Sequence, residues 1–176
     1  MNEIIKKNGI IFGIISGLIS IFIETVIYVV DQKLFISWWL GLLGISISVV
    51  LACILLTKTK KDLSNNLTFK EAFTTYFIMA LVGTLLFTTF AIILFNVIDP
   101  SLKVSVKELT IKAMSEMMKN FGADKAAMSA ALKTIQETDQ FGVLQQIKGL
   151  FTSLVMSSIL GLILAAFFKT PTRQEI

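Results

Sequence analysis

At 176 residues the chain suits one domain, but 55% of it is apolar, only 16% is charged, and the formal net charge is a modest +4. That balance excludes a water-soluble globule with a charged coat, and it calls for no nucleic-acid partner. Histidine is absent, which removes imidazole metal sites and any triad with a histidine base; the single cysteine, Cys53, excludes an intrachain disulfide.

Charges gather in a few segments and leave four apolar runs, 9–30, 35–57, 72–98 and 149–168. Each reaches the roughly 20 residues that cross about 30 Å of hydrocarbon. A helix of a soluble bundle would carry a polar face, and these runs carry almost none. The expected fold is all-α: an integral membrane four-helix bundle, one domain over 1–176, with an extracytoplasmic amphipathic helical insert at 101–148.

The chain opens with a basic pair, Lys6 and Lys7, ahead of an apolar stretch, as a signal peptide does. The apolar stretch runs on to Val30 with no small-x-small cleavage site at its end, so it reads as an uncleaved first span. Within it Gly9, Gly13, Gly17, Ser20, Glu24 and Tyr28 succeed one another at three- and four-residue steps. On a helix these positions share an arc of roughly 100°. Glycines on such a stripe let a second backbone come close, so the face points inward.

Glu24 sits on that face. A charge at mid-membrane costs about 2.5–3.5 kcal/mol, whereas the Ile, Leu, Phe and Val residues from Ile10 to Val30 return about 4–8 kcal/mol in sum, so the helix inserts with its carboxylate. An ionisable group on an intramembrane packing face is a candidate proton carrier or cation ligand. The plainer alternative is a structural carboxyl, protonated or hydrogen-bonded to Tyr28, Asn96 or a threonine.

The turn Asp31-Gln32-Lys33 is short enough to make the first two spans an antiparallel hairpin. Trp38 and Trp39 follow where an interfacial aromatic belt is expected. Gly41, Gly44, Ser48 and Ala52 then repeat the small-residue spacing, which reads as a bundle seam.

Lys58, Lys60, Lys61 and Lys70 crowd the next loop and join Lys6, Lys7, Lys169 and Arg173 on one side. The opposite side has as many basic residues, but most are spread over the long insert, and short loops carry the weight in orienting a protein. Both termini are expected in the cytoplasm of a multi-pass protein of the bacterial inner membrane. Thr68 and Glu71 have capping-box spacing ahead of the third span. That span runs uncharged to Ile98, with Thr88, Thr89 and Asn96 as polar members, and Asp99-Pro100 closes it.

In the insert, Ser105 and Glu108 again have capping-box spacing. Val106, Leu109, Ala113, Met117 and Phe121 form one helical stripe, with Met114 and Met118 beside it. Gly122 ends this helix, and Asp124 is placed to cap another whose Met128, Ala131, Leu132 and Ile135 face one way. Such a hairpin packs on the bundle, lies on lipid, or binds a partner. The fourth span carries Gly149, Ser153, Ser157, Gly161 and Ala165 at strict four-residue steps, which suits a helix that crosses its neighbours.

Catalytic residue types are scarce. Asp99 with Glu24 would make a carboxylate pair, although Asp99 reads equally as a cap. Met114, Met117, Met118 and Met128 have the soft donors of a Cu(I) site but also fill gaps on ordinary apolar faces. There is no Gly-rich phosphate loop, nucleophile elbow or metal motif, so no enzyme, cofactor or metal is expected. The seams at Gly9, Gly13, Gly17, Gly44, Ser48, Ser157, Gly161 and Ala165 serve packing within the chain, a homo-oligomer or a membrane-protein partner. A non-catalytic scaffold or accessory subunit is therefore the leading expectation, and a small transporter or channel using Glu24 the alternative.

The opening IIKKNGIIFGIISG, the FKEAF at residues 69–73, the FNVIDP at residues 95–100 and the four-span layout resemble a bacterial membrane family, domain of unknown function 4199. The resemblance implies four helices with an insert between the third and fourth, and no catalytic or ligand residue. It also implies an accessory role beside lipid-linked glycosyltransferases.

Overall fold

In the computed structural model the chain is described over residues 2–120, 122 and 124–171, with residues 125–127 described by backbone alone. Phe121 of the insert stripe and Arg173 of the basic set lie outside the described residues. Six α-helices follow in order: α1 (Glu3–Val30), α2 (Trp38–Asp62), α3 (Phe69–Ile93), α4 (Ser101–Asn120), α5 (Lys125–Glu137) and α6 (Val143–Phe168). A 3₁₀ turn, Gln32–Ile36, joins α1 to α2, and a π turn, Leu94–Ile98, extends α3. Helices α1, α2, α3 with its π turn, and α6 are each long and apolar enough to cross a membrane.

Local signals explain the helix starts. Asn2 caps α1 by accepting the Ile4 N–H at 2.9 Å, and Glu3 sits in the first turn, where the helix dipole favours a negative charge. Thr68 and Glu71 close a reciprocal capping box on α3. The expected box at Ser105 and Glu108 does not form. Helix α4 begins at Ser101 because Asp99 Oδ1 accepts the Ser101 and Leu102 N–H groups, so Ser105 is already inside the helix and its hydroxyl donates to Ser101 O. Gly122 does end the α4 segment, in the left-handed conformation at φ 67°.

Helix α3 is the hub, packing on α1, α6 and α2. Helices α1 and α3 run parallel, and their seam is set by glycine. A Cβ on Gly9, Gly13 or Gly17 would lie 2.8, 2.7 or 2.9 Å from the Cβ of Ile78, Val82 or Leu86. The carbonyls of Thr75, Met79 and Gly83 lie beside the same three positions, so the backbones approach closely at four-residue steps. On α6, Gly161 makes room for the Tyr76 ring, 2.5 Å from where a Cβ would be, and Ala165 is fully buried.

Helix α2 behaves differently along its length. Its second half is tightly packed, with Ala52, Leu55, Leu56 and Thr59 fully buried. Its first half stands away: nothing lies within 4 Å of a Cβ on Gly41 or Gly44. Among the described residues Gly44 therefore packs on no other helix, contrary to the expectation of a seam there. The physical reason is the 3₁₀ turn, which folds Phe35 inward onto Phe95, edge-on at 5.6 Å, and leaves the start of α2 apart from the bundle. Gly149 at the start of the α6 stripe is open as well.

Two apolar cores result. The lower one joins Phe12, Leu55, Leu56, Leu67, Ala72, Tyr76, Met79 and Leu164, near the end where the start of α1, the α2–α3 loop and the end of α6 meet. There Thr170 and Leu67 exchange hydrogen bonds, and Lys60 Nζ donates to Phe168 O. The upper core joins Ala91, Leu94, Phe95, Leu102 and Val106. Through it the α4 end of the insert packs directly on the bundle.

Candidate functional site

Between the two cores the interior turns polar. Ser16 and Ser20 from α1, Ser48 from α2, Tyr76 and Thr84 from α3, and Ser157 from α6 line a cavity of about 160 Å³. Four spans thus contribute hydroxyls to one place, and Tyr76 of α3 and Ser157 of α6 both line it. Ser20, Ser48 and Ser157 fell on small-residue stripes of the sequence, where they read as packing; Ser16 lay off the first stripe. Their convergence depends on helix rotation and crossing, which stripes alone do not specify.

Glu24 lies one helical turn beyond Ser20 and is only 8% exposed. Its Oε2 atom has no hydrogen-bond partner among the described residues. A carboxyl in that state is incomplete in either form, since a protonated oxygen lacks an acceptor and an ionised one lacks a donor. The cause lies in the splayed start of α2. Glu24 lines a cleft of about 460 Å³ whose walls include Ile23 and Ile27 of α1, Phe35 of the 3₁₀ turn, Trp38, Gly41 and Gly44 of α2, and Phe87 of α3. Ser20 and Phe87 line both the cleft and the hydroxyl cavity, so the two spaces adjoin.

The other expected site residues are committed elsewhere. The Tyr28 hydroxyl donates to Asp99 Oδ2 at 3.3 Å rather than to Glu24. Asp99 Oδ1 accepts from the Ser101 hydroxyl at 2.5 Å and from the Ser101 and Leu102 N–H groups. The Ser101 hydroxyl, first among these partners, holds the Asp99 carboxyl below the usual carboxylate range. Asn96 Nδ2 donates to Ile92 O and Phe141 O, and its Oδ1 accepts from Lys103 Nζ at 2.6 Å. Tyr28, Asn96 and Asp99 thus tie down the upper end, and none of them partners Glu24. The hydrogen bond from Tyr28, Asn96 or a threonine expected for a structural carboxyl at Glu24 is missing at Oε2.

A further polar group escaped the sequence reading. At the lower end Asn8, 4% exposed, donates from Nδ2 to Thr59 Oγ1 at 3.2 Å and to Asp62 Oδ2 at 2.9 Å. One asparagine next to Gly9 on the inward stripe was the available signal. Among the described residues no group of three or more His, Cys, Asp or Glu side chains is placed to hold a metal. Of the methionines considered as soft ligands, Met117 is 51% exposed.

No curated protein and no solved structure matches the chain. A family model, described as Protein of unknown function (DUF4199), matches residues 11–170. With nearly the whole chain inside that match, including three of the apolar helices in full and the first from Ile11 onward, the protein belongs to the DUF4199 family of unknown function.

Proposed function

We propose that this chain is a non-catalytic accessory protein of a bacterial cytoplasmic membrane, whose cleft beside Glu24 receives a membrane-resident molecule or partner segment. Its termini face the cytoplasm, and the α4–α5 hairpin lies outside. The observation that carries the reading is the open helix face at Gly41 and Gly44, beside a carboxyl oxygen that has no partner. A helical glycine costs about 0.5–1 kcal/mol relative to alanine, and close packing normally repays it. At Gly41 and Gly44 no packing within the chain does so, which points to a component from outside it. Orientation is supported by Lys6, Lys7, Lys58, Lys60, Lys61, Lys70 and Lys169, which sit close to the ends of spans on one side.

Native mass spectrometry of protein released in a gentle detergent tests this. Wild type should carry a stoichiometric extra component that the double variant Gly41→Leu/Gly44→Leu loses. A bare, monodisperse chain for both proteins would count heavily against it.

One observation favours a second reading, a small transporter. The Glu24 cleft adjoins the hydroxyl-lined cavity through Ser20 and Phe87, as a path for a polar solute would. In that case Glu24→Gln should abolish proton or solute flux in proteoliposomes while folding is retained. Equal silence of wild type and variant across candidate ions and solutes would remove its support.

A further inference from the structure

Resting on the reading of the cleft as a binding site, we propose that its ligand is a single-chain amphiphilic ammonium, a lipophilic monocation whose headgroup pairs with Glu24. Glu24 is only 8% exposed, its buried Oε2 lacks a hydrogen-bond partner among the described residues, and the residue lines the cleft wall. Among the described residues lining the cleft none is basic, so the chain itself offers no counter-charge there. A cation with N–H donors supplies both missing elements, a charge and a hydrogen bond.

The remaining walls fit the rest of such a molecule. Phe35, Trp38 and Phe87 present aromatic rings, which attract a cation and pack an alkyl chain. Beside Trp38 and Leu40, Gly41 and Gly44 leave the rest of the α2 wall open. From Trp38 to Gly44 the groove follows helix α2 for about 9 Å. A cleft of about 460 Å³ is in the usual size range of small-molecule sites. A zwitterionic phospholipid fits less well, because its phosphate would meet no basic side chain among these residues.

The test uses the full chain in phosphatidylcholine nanodiscs, with Trp39→Phe so that Trp38 reports alone. Octylammonium is titrated against octanol, its neutral counterpart, and Trp38 emission is followed. The expected result is saturable octylammonium binding that Glu24→Gln weakens about tenfold or more, the loss typical of a charge-assisted hydrogen bond. Octanol should respond equally in both proteins. Gly44→Leu, which fills open space and keeps Glu24, should abolish saturable octylammonium binding while circular dichroism stays helical. Equal octylammonium affinity for wild type and Glu24→Gln would overturn the proposal. If octanol and octylammonium then both remained sensitive to Gly44→Leu, the cleft would survive as a binding site and only the cation would be lost. Displacement of octylammonium by equal lysophosphatidylethanolamine would also overturn it, in favour of an aminolipid.

Discussion

Tyr28 and Asp99 meet at the upper end of the bundle, where the phenolic hydroxyl donates to Oδ2 at 3.3 Å. The contact joins the last turn of α1 to the corner between α3 and α4, while Oδ1 of the same carboxylate holds the first turn of α4. Both contacts are charge-assisted, and so strongest, only in the ionised form.

That preference sets a pH dependence. The Ser101 hydroxyl, followed by the backbone N–H groups and Tyr28, lowers the Asp99 pKa in the folded state. The stabilisation is present above the ordinary carboxylate pKa and is lost as pH falls through the lowered folded value. Melting followed by circular dichroism from about pH 7 to about pH 3 should show this loss in wild type and a flatter profile in Asp99→Asn. Matching profiles would detach Asp99 from stability.

Two glycines at similar sequence spacing should respond in opposite senses. A Cβ at Gly13 would come 2.7 Å from Val82 Cβ and 2.9 Å from the Met79 carbonyl, and neither atom sits at the end of a flexible side chain. Gly13→Ala should cost about 1–3 kcal/mol by overpacking. Gly44→Ala meets open space and should be neutral or gain about 0.4–1 kcal/mol. Unfolding titrations in mixed micelles measure both.

Asn96 binds three segments at once, through Ile92 O, Phe141 O and Lys103 Nζ. Phe95 beside it stacks on Phe141 at 4.3 Å. Asn96→Leu should cost about 1–3 kcal/mol, because the part-buried Phe141 carbonyl and the lysine lose their partner. Limited proteolysis should then cut faster around residues 138–142 while the spans stay protected.

At the lower end Asn8→Ala removes the amide that bridges Thr59 and Asp62. A loss of about 1–3 kcal/mol is expected, since Thr59 is fully buried. Thermal unfolding in detergent checks it, with exposed Asn66→Ala as the neutral control.

Hydropathy made the four spans legible because lipid permits little else along such runs. The Thr68 box and the Gly9, Gly13 and Gly17 seam were equally plain, since each depends on local spacing. What escaped depended on tertiary geometry. The 3₁₀ turn uses Phe35 and Ile36, which belong by hydropathy to the second span. By moving them it opens α2, so Gly41 and Gly44, which begin a small-residue stripe as the packed glycines of α1 do, line the cleft with nothing within 4 Å of a Cβ. Helix α6 starts at Val143, ahead of the apolar run, because Gln145, Gln146 and Lys148 are good helix formers despite their polarity. For the site, Glu24 stood out as a carboxylate in an apolar helix. That Tyr28, Asn96 and Asp99 would leave it unpartnered could not be read from spacing, because their partners lie up to 71 residues away.

The account rests on lipid surrounding four spans, with the α2–α3 loop and the insert on opposite faces of the membrane. Lys61 and Met117 are both exposed, so each tolerates a reporter. In a Cys53→Ser background, an impermeant maleimide should label Met117→Cys in intact cells and Lys61→Cys only after the membrane is opened. Labelling of both positions from the same side would contradict the account.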